Sequence, residues 1–332
     1  MKVVRRIGYV VLFFLLLVLI LKFDFKSFVR SIKRVPILGF IGLLGVQVVS
    51  QLLVNYQWCR IGKIMGGEHS FFKMLFINAR GSIIESVTPG VKIGGEVTRA
   101  VLLRNELNYT TQEAATLVTI QKMTSFSSFF LINLFAFAHL SRKVEIFQGV
   151  VVKVLVYFFL LALLGLLVIM FACTGFIEKR IKNKVASHKW TTVLHRYMVT
   201  LLSNIKVLKN IKGEMYKQFL LSLSIWILYP LKMIMLVHLF TPNYDWVFLT
   251  EITFLSYMVG MIPLLPGGLG GFEATMTSLL IVMQINSNEA LAITMLFRFI
   301  TFWFVILLSL LYVGGWKIGG RKNEIHKNKM HT

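Results

Sequence analysis

Two glutamates stand where apolar sequence should carry no charge: Glu96, closing PGVKIGGE at residues 89–96, and Glu273, closing PGGLGGFE at residues 266–273. Each is followed by a basic residue within the next apolar run, Lys122 lying 26 residues after Glu96 and Arg298 lying 25 after Glu273. Ionised side chains at membrane depth are costly unless paired or hydrated, and they mark ligand and ion pathways. Three kinds of chemistry are open to such a set. Arginine and lysine can receive an anionic group, the carboxylates can carry coupling protons, or the pairs can serve only to hold helices together.

The glycines and prolines around the glutamates say what kind of element must position them. Pro89, Gly90, Gly94 and Gly95 in one copy, and Pro266, Gly267, Gly268, Gly270 and Gly271 in the other, interrupt helices within apolar sequence. Backbone can turn inside a membrane only where protein buries it or a wet cavity lies beside it, because unpaired amides and carbonyls are costly in hydrocarbon. The freed half-helix ends then offer amide groups to an anion. Both copies continue to a leucine pair at the same offset, Leu102 and Leu103 in one, Leu279 and Leu280 in the other. A helix break repeated in corresponding places points to a transporter.

Composition agrees with a membrane setting. The 332 residues are 56% hydrophobic, with a mean hydropathy of +0.73, beyond the apolar share of a soluble domain. The net charge of +22 lies largely in loops beside apolar runs, which assigns it to topology and anionic lipid rather than to nucleic acid. Spans of about 20 residues are expected at 7–21, 36–58, 114–138, 148–172, 216–240 and 289–313, with broken or re-entrant hairpins at 71–104 and 247–285. The fold expected is thus an all-α polytopic membrane protein in one domain. It has about six full spans, a first repeat core at 60–138 and a second at 240–313. GFIGLLG, residues 39–45, suits close helix packing or dimerisation.

Orientation follows from basic loops. The segment 174–215 and the tail 314–332 are rich in lysine and arginine, while 241–246 carries neither, so both termini and the long loop are expected in the cytoplasm. Three full spans between the hairpins would make the repeats inverted, the first opening from the cytoplasm and the second from outside. Segment 22–35 then falls outside despite its five basic residues, and reads as an interfacial amphipathic stretch.

Other charges join the two hairpins. Arg80 and Glu85 belong to the first and Glu251 to the second. Arg99, three residues beyond Glu96, shares its helix face, and suits either a phosphate contact or a boundary position. The cysteines, Cys59 and Cys173, show no disulfide or metal spacing, and the seven histidines are scattered. No GxxxxGK[ST] motif signals ATP hydrolysis. No cofactor, metal or catalytic residue is expected.

At these motifs the chain resembles the lysylphosphatidylglycerol synthase transmembrane family, described as flippase-like integral membrane proteins, over nearly its whole length. Pro89, Gly94, Gly95, Glu96 and Arg99, LLPGGLGGFE at 264–273, and Trp58 with Arg60 carry the resemblance. It implies movement of an amphipathic lipid between leaflets, such as an aminoacylated phospholipid or a polyprenyl-phosphate-linked sugar. In well-understood members a soluble aminoacyltransferase domain makes the lipid, and no segment here is expected to form one. Implied partners are membrane lipids, a separate lipid-modifying enzyme and a second copy of the chain. Two rival readings are a membrane-embedded glycosyltransferase acting on lipid-phosphate sugars and a non-catalytic subunit of a separate lipid synthase. The first needs a carboxylate base, but Asp24 and Asp245 are solitary and no DxD occurs.

Overall fold

The structure, a computed structural model, describes residues 35–67, 69–88, 93–182, 189–211, 213–241, 244–262 and 268–330, with Val29 and Lys33 before them. Its elements are helical, and no strand occurs among the described residues. In chain order they are α1 (Ile37–Ile64), α2 (Phe71–Val87), α3 (Ile93–Leu107), α4 (Thr111–Lys143), α5 (Val150–Ala172), α6 (Thr174–Lys182) and α7 (Lys189–Asn210). They continue with α8 (Glu214–His238), α9 (Trp246–Gly260), α10 (Gly271–Val282), α11 (Ser287–Arg298), a π turn (Phe299–Trp303) and α12 (Phe304–Met330).

Five stretches among the described residues are long and apolar enough to cross a membrane: α1, α4, α5, α8, and Ser287–Trp316, which runs through α11, the π turn and into α12. This is a multi-pass membrane protein. The five match the spans expected from 36–58 onward, with ends displaced by up to six residues. For α4 the cap is a capping box, in which Thr110 Oγ1 accepts from the Glu113 amide and Glu113 Oε2 accepts from the Thr110 amide. The expected span 7–21 and most of 22–35 lie outside the described residues.

Four other helices are shorter. α2, α3, α9 and α10 have 17, 15, 15 and 12 residues, or about 18–26 Å at a rise of 1.5 Å per residue, short of a hydrocarbon core of about 30 Å. Each packs on its sequence neighbour, α2 with α3 and α9 with α10, and the two broken regions of the sequence are helical hairpins. Glycine lets the arms cross closely. A Cβ on Gly95 would lie 2.8 Å from the Gly81 carbonyl oxygen across the first hairpin. In the second, Gly268 has φ +72°, and a Cβ there would run into the carbonyl of Gly260.

Two apolar cores result, one per hairpin. Leu102 and Leu103 seat α3 among Trp58, Ile61, Ile77 and Leu117, while Leu279 and Leu280 seat α10 among Leu249, Ile252, Ile293 and Phe297. Between them stand the rings of Phe129, Trp226 and Phe254, from α4, α8 and α9, with the first two centroids 4.6 Å apart.

Two segments gain detail. The basic segment 174–215 is mostly helix rather than loop: α6 and α7 pack together, and Leu201, Leu202, Ile205 and Leu208 bury one face of α7, which lies against α4. Its lysines lie on the other face of an amphipathic helix, which a hydropathy window averages away. In GFIGLLG only Gly39 is closely packed, against Leu239; Gly42 and Gly45 face open space.

Candidate functional site

Antiparallel geometry explains how Glu96 meets Lys122. From Glu96, α3 runs eleven residues to Leu107; α4 then runs eleven back from Thr111 to Lys122, so the two side chains return to one level. Lys122 Nζ lies 2.7 Å from Glu96 Oε1. The second hairpin repeats the arrangement, nine residues out from Glu273 to Val282 along α10 and eleven back from Ser287 to Arg298 along α11. Arg298 Nε lies 2.9 Å from Glu273 Oε1.

Arg99 is the hub of the first cluster. Its Nη1 donates to Glu96 Oε1 at 2.9 Å and to Glu85 Oε2 at 3.1 Å, and its Nη2 donates to Ser82 Oγ at 3.3 Å. Only 7% of the residue is exposed. The slot it occupies exists because residue 81 has no side chain: a Cβ there would come within 2.6 Å of Arg99 Cγ and Nε. Rings cover both cations, the Arg99 guanidinium lying 5.8 Å from the Trp58 centroid and Lys122 Nζ 6.0 Å from that of Phe126.

In the second cluster, Glu273 does two things. Its Oε2 accepts from the Gly270 amide at 2.7 Å, capping the broken end of α10, while Oε1 faces Arg298. The Arg298 guanidinium lies between the rings of Phe272 at 4.8 Å and Phe302 at 4.3 Å. The π turn begins at the next residue, and such turns recur at functional sites because they re-aim the side chains around them.

The two clusters open onto one cavity of about 440 Å³. Glu85, Glu96 and Arg99 line it from the first hairpin, Lys122 from α4, and Gly268, Phe272 and Arg298 from the second hairpin and its following span. Trp226, Tyr229 and Tyr257 form an aromatic wall, and Leu52, Val305 and Ile306 an apolar one. Arg99, Lys122 and Arg298 are matched one for one by Glu85, Glu96 and Glu273. Chemically this is a polar pocket beside an aliphatic surface, suited to a ligand that is charged at one end and apolar at the other.

Other residues singled out from the sequence fall elsewhere. Arg80 stacks on Phe76 at 5.6 Å, and neither Arg80 nor Glu251 lines the cavity. Glu251 is buried with an oxygen 2.5 Å from His139 Nδ1, tying α9 to α4. Gly94 packs on Thr88, Gly270 adopts φ +84°, and Gly271 makes ordinary contact with Val259. Pro89, Gly90, Pro266 and Gly267 lie outside the described residues. Three features escaped sequence reasoning. The aromatic wall comes from α8 and α9, whose pairing no sequence pattern encodes. Arg60 holds Glu214 in a bidentate pair, at 2.5 and 2.6 Å, across 154 residues. Lys232 is wholly buried in α8, and a lone lysine in the apolar run LYPLKMIML was the signal that could have found it.

Comparison with known proteins agrees with this architecture. The chain is 26% identical to a UPF0104 membrane protein of Methanothermobacter thermautotrophicus over 258 residues, 72% of this chain and 73% of that protein. It is 22% identical over 312 residues to a UPF0104 membrane protein of Methanocaldococcus jannaschii, covering 92% and 90% of the two chains. A third relative, a UPF0104 membrane protein of Pyrococcus horikoshii, is 21% identical over 310 residues, 89% of this chain and 92% of that one. The family model for the lysylphosphatidylglycerol synthase transmembrane region matches residues 6–309. The chain therefore belongs to the lysylphosphatidylglycerol synthase transmembrane-region family.

Proposed function

We propose that this protein moves an anionic or phosphate-bearing amphipathic lipid between the leaflets of the cell membrane. The observation that carries the reading is the convergence of Arg99 and Lys122 from one broken hairpin unit and Arg298 from the other on a single cavity. Half-helix ends and these cations receive the headgroup, while the tails stay along the aliphatic wall. The hairpins act as an inverted pair in a membrane whose cytoplasmic side holds both termini, and the substrate crosses by alternating access, one hairpin yielding while the other stays closed. Glu96 and Glu273 hold the cations when the cavity is empty and release them when a phosphate competes for the same donors. On this reading the chain is a transporter rather than an enzyme, and its lipid comes from a separate lipid-modifying enzyme.

The test is a leaflet-sidedness assay with labelled anionic lipid in liposomes. The double variant Glu273→Ala, Arg298→Ala removes a matched pair, so no lone charge is left by the change, and it should translocate at least about tenfold more slowly, the loss of roughly one charge-assisted contact. Equal rates for intact protein and double variant would sink the reading.

A further inference from the structure

The cavity's own charges cancel. Arg99, Lys122 and Arg298 line it with Glu85 and Glu96, and Glu273, behind the lining, neutralises Arg298, so an entering anionic headgroup would itself be the unbalanced charge. A site built to take an anion needs one positive charge more than its carboxylates supply. That surplus is found one residue layer behind the wall.

Lys232 has 0% exposure. Its Nζ lies 4.2 Å from the centroid of the Tyr229 ring, and Tyr229 lines the cavity. The other neighbours come from α1: Nζ donates to Gln47 Oε1, and to Ser50 Oγ at 3.2 Å. Ser50 spends its own hydroxyl proton on the Val46 carbonyl at 3.0 Å, which leaves its lone pairs to accept. With a carbonyl oxygen, a hydroxyl lone pair and a π face around it, the nitrogen meets three acceptors and no donor. Three acceptors suit the three donors of an ammonium. Among the described residues no carboxylate pairs with Lys232.

We propose that Lys232 is the specificity-determining charge of the cavity, an uncompensated ammonium behind Tyr229 that selects ligands bearing a phosphate anion over net-neutral ones. The inference rests on the lipid-transport reading above. Placement behind a ring serves transport: the field crosses the low-dielectric wall, yet the headgroup makes no direct contact with this charge and is free to leave. Gln47, Ser50 and Tyr229 are positioning residues that hold the ammonium in place.

The experiment compares binding of two fluorescent lipids with identical tails, phosphatidylglycerol and phosphatidylcholine, to purified full-length protein in nanodiscs. Intact protein is expected to prefer the anionic probe. Lys232→Met, which keeps the volume, should reduce that preference at least fivefold while phosphatidylcholine binding changes less than twofold, and Lys232→Arg should restore it. If Lys232→Met fails to elute as a folded protein, Gln47→Glu neutralises the charge in place and should cause the same loss. An unchanged preference in the variant that folds overturns the role of Lys232 alone. Absence of saturable binding of either lipid to intact protein overturns the transport reading as well. Complete displacement of phosphatidylglycerol by millimolar inorganic phosphate would overturn the lipid-borne headgroup in favour of the free ion.

Discussion

Replacing Gly268 by alanine tests how tightly the second hairpin is closed. Gly268 has φ +72°, and a Cβ would meet the Gly260 carbonyl oxygen as well as its Cα at 3.1 Å. The first effect is conformational: an L-residue in the left-handed region costs about 1–2 kcal/mol. The second is steric, and the obstacle is backbone rather than the end of a flexible side chain, so α9 and α10 must separate, at a cost of about 1–3 kcal/mol by the measure of overpacked cores. Together they give about 2–5 kcal/mol. Gly66 and Gly213 isolate the first effect, since both have positive φ, +86° and +76°, and a Cβ at either meets nothing within 4 Å. At about 2 °C per kcal/mol for a chain of this length, Gly66→Ala and Gly213→Ala should each lower the apparent melting temperature in detergent by about 2–4 °C and Gly268→Ala by about 4–10 °C. On the transport reading proposed above, the Gly268→Ala protein should also move lipid more slowly, because its cavity wall has moved. Melting of Gly268→Ala in step with the two controls, at an unaltered transport rate, would refute the close crossing.

Two further predictions concern helix ends. The Arg60–Glu214 pair is asymmetric, with side-chain exposures of 33% and 4%. Arg60→Met therefore strands a buried carboxylate and should destabilise by about 3 kcal/mol, whereas Glu214→Gln leaves an arginine that water can reach and should cost about 1 kcal/mol; a thermal series in which Glu214→Gln is the worse variant would contradict this. Asp245 caps α9 by accepting from the Val247 and Phe248 amides at 3.0 and 3.1 Å. The hydrogen bond from Lys143 is the largest influence holding its carboxyl below the usual 3.8, the Phe248 and Val247 amides adding to it. A depressed carboxylate contributes stability above its unfolded value and loses it as pH falls through the folded one, so intact protein should weaken below about pH 4 more steeply than Asp245→Asn, and identical acid profiles would show that the ionised cap contributes nothing.

The sequence carried the hairpins because glycine and proline in apolar surroundings have few other uses in a membrane. It also carried the partners of Glu96 and Glu273, since neighbouring antiparallel helices of near-equal run bring residues 25 or 26 apart to one level. Arg99 was legible as a helix-face neighbour of Glu96, but its bond to Glu85 depends on the glycine crossing at Gly81 and Gly95, which no periodicity encodes. The charge of Glu251 was visible in the same way, but its contact with His139, on a helix far earlier in the chain, was not. Arg60 with Glu214 and Lys232 with Gln47 join residues more than 150 positions apart, and such pairs belong to tertiary packing alone.

The matched runs of α3 against α4, and of α10 against α11, make chain length a constraint in its own right. One residue inserted between Glu96 and Lys122 would turn the following helix by about 100° and lift it by about 1.5 Å, carrying the lysine off its carboxylate without altering any side chain of the site. Substitutions in these arms leave the level of the pair intact; insertions and deletions do not. Selection on this protein should therefore police indels between the paired charges more strictly than it polices residue identity, and variation in length should gather outside the intervals 96–122 and 273–298.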